Sequence, residues 1–120
     1  MSKILVIEDH DGIREAYELL FIKEGYEVDT VDDGGPALEK VKEAEYDLIL
    51  LDMMLPELSG IEFLRQFKPV EHQTKVVVFS NLENEDITKE AMSLGVSKYI
   101  RKATVPPKEM AEIVAGVLAG

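Results

Sequence analysis

Two hydrophobic patterns alternate along this chain. Short, nearly continuous apolar runs such as KILVIE and KVVVF are typical of strands covered on both faces. Between such runs, apolar residues recur every three or four positions, as at Ile13, Tyr17 and Leu20, which is typical of one helix face. The second strand and second helix are separated by a predicted break at Gly34 and Gly35. The patterns predict strands at 3–8, 27–31, 47–51, 75–79 and 98–101, and helices at 11–24, 36–44, 60–67, 87–94 and 107–118.

Five strand–helix units with short connections predict an α/β fold. Parallel neighbouring strands need a crossover, and that crossover is right-handed. We therefore expect a doubly wound five-stranded parallel sheet with helices on both faces. The 120 residues fit one compact domain, so we expect a single domain over 1–120.

Polar residues close four of the predicted strands. Glu8 and Asp9 end the first, Asp52 the third, Ser80 the fourth, and Lys102 the fifth. Each residue has an ordinary explanation as a cap, a turn residue or a surface charge. Ligands of open parallel sheets, however, bind beyond the carboxyl ends of the strands. Because all five residues would gather at that edge, their coincidence favours a functional site.

The chemistry of this set indicates a cation and a phosphoryl group. Three neighbouring carboxylates repel one another unless a cation lies among them. Oxygen ligands suit Mg²⁺, which keeps several waters and leaves room for a phosphoryl oxygen. A carboxylate can carry a covalent aspartyl phosphate, and Lys102 and Ser80 could then hold the phosphoryl oxygens.

Composition and charge exclude several other functions. A net charge of −11 disfavours direct binding to nucleic acid or to anionic membranes and attracts divalent cations. The absence of cysteine excludes disulfides, thiol catalysis and thiolate metal sites. The N-terminal stretch MSKILVIED becomes acidic too early for a signal peptide, so we expect a cytoplasmic location.

Four motifs taken together resemble the receiver domain of two-component response regulators. They are IEDH at 7–10, LILLDMMLPELSG at 48–60, VVVFSN at 76–81 and YIRK at 99–102. The resemblance covers nearly the whole chain in order, and the combination is highly specific. It implies a flavodoxin-like (βα)5 fold of the CheY type with strand order 2-1-3-4-5.

The resemblance also implies how the phosphoryl site is built. Asp52 would accept a phosphoryl group from the histidine of a sensor kinase or of a histidine phosphotransfer protein. Glu8 and Asp9 would hold Mg²⁺ together with Asp52 and the backbone carbonyl of Met54. Lys102 would pair with the phosphoryl group.

Further roles implied by the resemblance concern the switch and the loop after Asp52. Ser80 would bind a phosphoryl oxygen and shift inward, and Tyr99 would swing in behind it. Pro56 and Gly60 would shape the loop, because proline fixes φ and glycine permits a close turn.

The output would lie on the surface formed by the helix at 87–94, the strand at 98–101 and the helix at 107–118. Its partner would be a downstream protein or a fused output domain. A homodimer formed on phosphorylation is a further alternative. A stand-alone regulator and a piece of a longer regulator are both compatible with the sequence.

Three positions depart from the usual family pattern. Ala103 stands where the family usually has a proline preceded by a cis peptide bond. A cis bond before a non-proline residue costs about 2.5–4 kcal/mol. We therefore expect a trans bond here and a different conformation of the Lys102 loop. Asn81 replaces a small residue and could crowd the site or orient a water. Met54 presents an apolar side chain, which predicts a longer-lived phosphoryl group.

Two rival functions remain from the sequence. A Mg²⁺-dependent phosphohydrolase would form an aspartyl phosphate on external substrates, but such enzymes often carry a carboxylate where Met54 stands. A pseudo-receiver would act as an interaction module without phosphorylation, which Ala103 and Asn81 favour and the intact acidic set disfavours. We therefore expect a regulator rather than an enzyme.

Overall fold

The computed structural model describes all residues, 1–120, as one sheet flanked by helices. All four strand pairings are parallel, and the strand order is β2-β1-β3-β4-β5, which confirms the predicted fold class. In chain order the elements are β1 Lys3–Ile7, α1 Asp11–Lys23, β2 Glu27–Val31, α2 Gly34–Glu43, β3 Leu48–Leu51, α3 Gly60–Phe67, β4 Lys75–Ser80, α4 Glu85–Ser93, β5 Lys98–Arg101 and α5 Pro107–Ala119.

Two hydrophobic cores lie on opposite faces of the sheet. Successive strand residues point to opposite faces, so alternate positions of each central strand belong to different cores. Leu48 and Leu50 pack with residues of α1 and α5, whereas Ile49 and Leu51 pack with residues of α2, α3 and α4. The four residues of β3 are all fully buried, as expected for a central strand covered on both faces.

The second helix begins earlier than predicted. Gly34 and Gly35 form its first turn rather than the break before it. Asp33 caps this turn, with its side chain accepting from the Gly35 N–H at 3.5 Å. A Cβ at position 34 would lie 2.4 Å from the backbone oxygen of Leu58, so the glycine permits close approach of α2 to the loop after β3.

Two short 3₁₀ turns were not predicted, and the second affects the site. One spans Pro69–Glu71 and the other spans Lys102–Thr104, directly after β5. The latter turn places Lys102 at the carboxyl edge of the sheet. None of the helices combines the length and the apolar composition needed to cross a bilayer.

Candidate functional site

The carboxyl ends of the strands bring the predicted site residues to one edge of the sheet. Ile7 of β1 lies beside Leu51 of β3, so the residues that follow, Glu8 and Asp52, are neighbours. An open cleft at this edge is lined by residues from the first turn of α1 and from the segments that follow the strands. They are Asp9, His10, Asp11, Gly12, Ile13, Asp52, Met54, Asn81 and Lys102.

The Lys102 ammonium joins the two buried carboxylates. Its Nζ donates to Oδ2 of Asp52 at 3.1 Å and forms a direct ion pair with Oε1 of Glu8. The same Nζ lies 4.9 Å from the ring centroid of Phe79, within cation–π range. Glu8 is fully buried and Asp52 is 3% exposed, so the ammonium compensates charge that water does not reach.

Burial and mutual repulsion control protonation at Glu8. Loss of hydration raises the pKa of Glu8 to about 7; the hydrogen bond from Lys102 opposes the rise, and Asp52 adds to it. Burial acts in the opposite direction on Lys102, but hydrogen bonds to Glu8 and Asp52 outweigh it and leave the pKa of Lys102 above its ordinary value. One ammonium therefore does not fully compensate this cluster.

The three acidic residues fit a metal ion of the hard, oxygen-binding class. One oxygen from each of Glu8, Asp9 and Asp52 lies within 4.8 Å of the others. Two of these residues are buried and Asp9 is exposed, so the group opens to the cleft on one side. Carboxylate oxygens without sulfur or imidazole suit Mg²⁺ or Ca²⁺ rather than a soft transition metal.

Backbone contacts orient the Asp52 carboxylate. Oδ1 accepts from the Met54 N–H at 3.0 Å while Oδ2 faces Lys102. A Cβ at position 60 would lie 2.6 Å from the backbone oxygen of Asp52, so only glycine fits there without a shift of the chain. The exposed Pro56 lies in the same loop, and the Met54 side chain is 56% exposed at the cleft.

Asp33 fixes this loop by hydrogen bonds that the sequence does not predict. Its side chain is buried and accepts from the Glu57 N–H at 3.1 Å and from the Leu58 N–H at 2.9 Å. The loop that follows Asp52 is thereby tied to the start of α2. An aspartate directly before two glycines was a usable signal for a cap, but not for this long-range contact.

Ser80 and Tyr99 meet at the backbone of one residue. The buried Ser80 hydroxyl oxygen accepts from the Leu82 N–H at 3.2 Å, and the Tyr99 hydroxyl donates to the Leu82 carbonyl at 3.3 Å. Tyr99 is half-buried, and desolvation raises its pKa. Both predicted switch residues therefore share one structural neighbour.

The Lys102–Ala103 peptide is trans, as the sequence predicts, and the loop still brings Lys102 to both carboxylates. The Ala103 N–H donates to Oδ1 of Asn81 at 3.0 Å. Two of the three departures from the family pattern are therefore in direct contact.

Comparisons with known proteins agree with this fold. Residues 4–115 match the model of the response regulator receiver domain. The response regulator ArlR of Staphylococcus saprophyticus is 37% identical over 120 residues, which are 99% of this chain and 52% of that protein. Sporulation initiation phosphotransferase F of Bacillus subtilis is 34% identical over 101 residues, 84% of this chain and 82% of that protein.

A solved structure agrees at the level of fold. The CheY-like receiver domain protein of Methanospirillum hungatei superposes with a TM-score of 0.93 at 24% identity, covering 99% of this chain and 94% of that one. The chain spans about half the length of the ArlR relative. With the family match over 112 consecutive positions of the chain (4–115) and relatives above 30% identity, this protein belongs to the response regulator receiver domain family of two-component phosphorelay signalling.

Proposed function

We propose that residues 1–120 act as one receiver domain whose switch is phosphorylation of Asp52. The phosphoryl group would come from the phosphohistidine of a sensor histidine kinase or a histidine phosphotransfer protein. The observation that carries this proposal is the Lys102 ammonium bonded to Asp52 at 3.1 Å within a cleft that also holds Glu8 and Asp9. This arrangement supports a nucleophilic role for the Asp52 carboxylate, because a preorganised cation lies beside it.

In the transfer step, a carboxylate oxygen of Asp52 forms a bond to phosphorus while the P–N bond of the donor breaks. The bond's electron pair leaves with the donor imidazole. The Met54 N–H holds the plane of the Asp52 carboxylate, and Lys102 stabilises negative charge on the transferring group. The Ser80 hydroxyl, at the end of the adjacent strand β4, would donate to a phosphoryl oxygen after it moves away from the Leu82 N–H.

Mg²⁺ is the metal that we propose for this site. Glu8, Asp9 and Asp52 would hold it together with the Met54 backbone carbonyl, and Glu8 would bind through a water. When bound, Mg²⁺ supplies positive charge and a fixed position for the phosphoryl oxygens. With the carboxylate charge compensated in this way, the Lys102 ammonium, now paired with Glu8 and Asp52, would be free to pair with the phosphoryl group.

The output of the switch is the face formed by α4, β5 and α5. Movement of Ser80 toward the phosphoryl group would break its contact with Leu82, to which Tyr99 is also bonded. A few kcal/mol are enough to bias two such packings. The partner would be a separate protein or a fused output domain: the ArlR relative is about twice as long as this chain, whereas sporulation initiation phosphotransferase F is matched over 82% of its length. A homodimer linked to phosphorylation would use the same face.

Acetyl phosphate with Mg²⁺ provides the test, with intact mass as the readout. Wild type should gain one phosphoryl adduct, which chelation of Mg²⁺ prevents and which Asp52→Asn lacks. No adduct, under conditions that label a control receiver domain, would support the pseudo-receiver instead. Many turnovers of a phosphate ester by the purified protein would support the phosphohydrolase.

A further inference from the structure

Asn81 contacts the turn that carries Lys102. Asn81 directly follows β4, and its side-chain oxygen accepts from the Ala103 N–H across 22 residues of chain. Ala103 is the next residue after Lys102 in the turn Lys102–Thr104. The Asn81 side chain also lines the cleft that holds Asp52 and Lys102.

Little else holds this turn. None of its residues is buried, and no side chain caps its start. The Thr104 hydroxyl bonds to the Arg101 carbonyl, a contact local to β5 and the turn. Apart from the bonds made by Lys102 itself, the Asn81–Ala103 contact is the one side-chain hydrogen bond that joins the turn to another strand end.

The chemistry of the two residues is complementary. Alanine at 103 leaves a backbone N–H that proline would lack, and Asn81 supplies the matching carbonyl acceptor. Because that N–H needs an acceptor, the orientation of the Asn81 amide is determined by the contact. An alanine at 81 would reach no part of the turn, and the Ala103 N–H would return to solvent.

We infer that Asn81 is a positioning residue for Lys102: it holds the Lys102–Thr104 turn against the end of β4 and so keeps the ammonium at Asp52. This inference rests on the proposed phosphoryl transfer to Asp52 for its effect on rate. It assigns Asn81 to the loop rather than to crowding of the site or to orientation of a water.

A double-mutant cycle with acetyl phosphate and Mg²⁺ measures the effect on rate. Asn81→Ala should slow formation of the Asp52 adduct by about 2- to 10-fold, the range expected for one lost hydrogen bond. Lys102→Ala should slow it further, and the double variant should equal Lys102→Ala, since Asn81 acts only through that side chain. Gln73→Ala, which removes an exposed amide outside the cleft, should match wild type. An unchanged rate in Asn81→Ala, or a full Asn81 effect in the Lys102→Ala background, would overturn the inference.

Amide hydrogen exchange of Ala103 separates this inference from the proposed function. In the unphosphorylated protein the Ala103 N–H should exchange about 2- to 10-fold faster in Asn81→Ala than in wild type. This readout requires no phosphoryl transfer and no Lys102 variant. Equal exchange rates in the two proteins would contradict the inference even if Asp52 is phosphorylated. Faster exchange in Asn81→Ala, together with no phosphoryl adduct on wild type, would contradict the proposed function but not the inference.

Discussion

The Lys102 ammonium donates to Oδ2 of Asp52 at 3.1 Å, although 50 residues separate the two in the chain. The contact exists because β3 and β5 flank β4 and end at the same edge of the sheet. Glu8 shares the same ammonium. Lys102 therefore occupies the position of a cation among carboxylates, which has a direct consequence for metal binding.

Replacing Lys102 by methionine should tighten Mg²⁺ binding. Methionine retains an unbranched apolar stem but removes the charge that competes for Glu8 and Asp52. We expect the Mg²⁺ dissociation constant to fall by about tenfold, equivalent to about 1.4 kcal/mol of relieved repulsion. Isothermal titration calorimetry at constant pH measures this directly.

The matched control for metal binding is Lys89→Met on α4, an exposed lysine that lies outside the acidic cluster. Its Mg²⁺ affinity should stay at the wild-type value. Weaker binding in Lys102→Met would show that the ammonium supports the metal site instead of competing with it.

Asp33→Ala should destabilise the fold by about 2–3 kcal/mol. The substitution leaves the N–H groups of Glu57 and Leu58 without their charged acceptor. Asp33→Asn keeps one side-chain oxygen, so its loss should be about half as large. Urea unfolding at neutral pH gives the free energy of unfolding of both variants. A loss below about 0.5 kcal/mol in Asp33→Ala would show that its hydrogen bonds to Glu57 and Leu58 do not stabilise the fold.

Gly34 and Gly35 should respond oppositely to alanine, although they are adjacent in the first turn of α2. A Cβ at 34 would meet the Leu58 backbone oxygen at 2.4 Å, whereas a Cβ at 35 meets nothing within 4 Å. We expect Gly34→Ala to cost about 1–3 kcal/mol and Gly35→Ala to stabilise by about 0.5–1 kcal/mol. Thermal unfolding measures both variants, and each serves as the control for the other. Equal changes in stability would contradict the close contact of Gly34 with the Leu58 backbone.

The Leu82 backbone should report the switch. Because Ser80 accepts from its N–H and Tyr99 donates to its carbonyl, phosphorylation that draws Ser80 away should shift the Leu82 amide resonance. In Ser80→Ala the amide has already lost this acceptor, so addition of acetyl phosphate and Mg²⁺ should move it far less. Two-dimensional NMR measures the Leu82 amide shift in wild type and in Ser80→Ala. Equal shifts in the two proteins would show that Ser80 takes no part in the switch.

The sheet and the edge that carries the candidate site were predictable because the signals are local. Continuous apolar runs identified the buried strands, and the rule that ligands bind at the carboxyl ends of parallel strands selected Glu8, Asp52, Ser80 and Lys102. The structure brings Glu8, Asp9, Asp52 and Lys102 together as expected, with Ser80 ending the adjacent strand. The strand order followed from the family resemblance.

The contacts that were not predicted join residues far apart in sequence. The sequence predicts the start of α2 too late, because two consecutive glycines usually indicate a break. Here Gly34 is inside the helix, since the neighbouring backbone of Leu58 leaves no room for a side chain. The bonds of Asp33 to residues 57 and 58 and of Asn81 to Ala103 depend on loop packing, for which a single sequence carries no periodic signal.

Identification of the modified residue tests the central claim most directly. Protein treated with acetyl phosphate and Mg²⁺ would be reduced with borohydride, which converts an aspartyl phosphate to homoserine, and its peptides mapped by mass spectrometry. We predict homoserine at position 52 and nowhere else. Homoserine at position 9, or a stable phosphoryl group on His10 or His72 with an unmodified Asp52, would contradict the account.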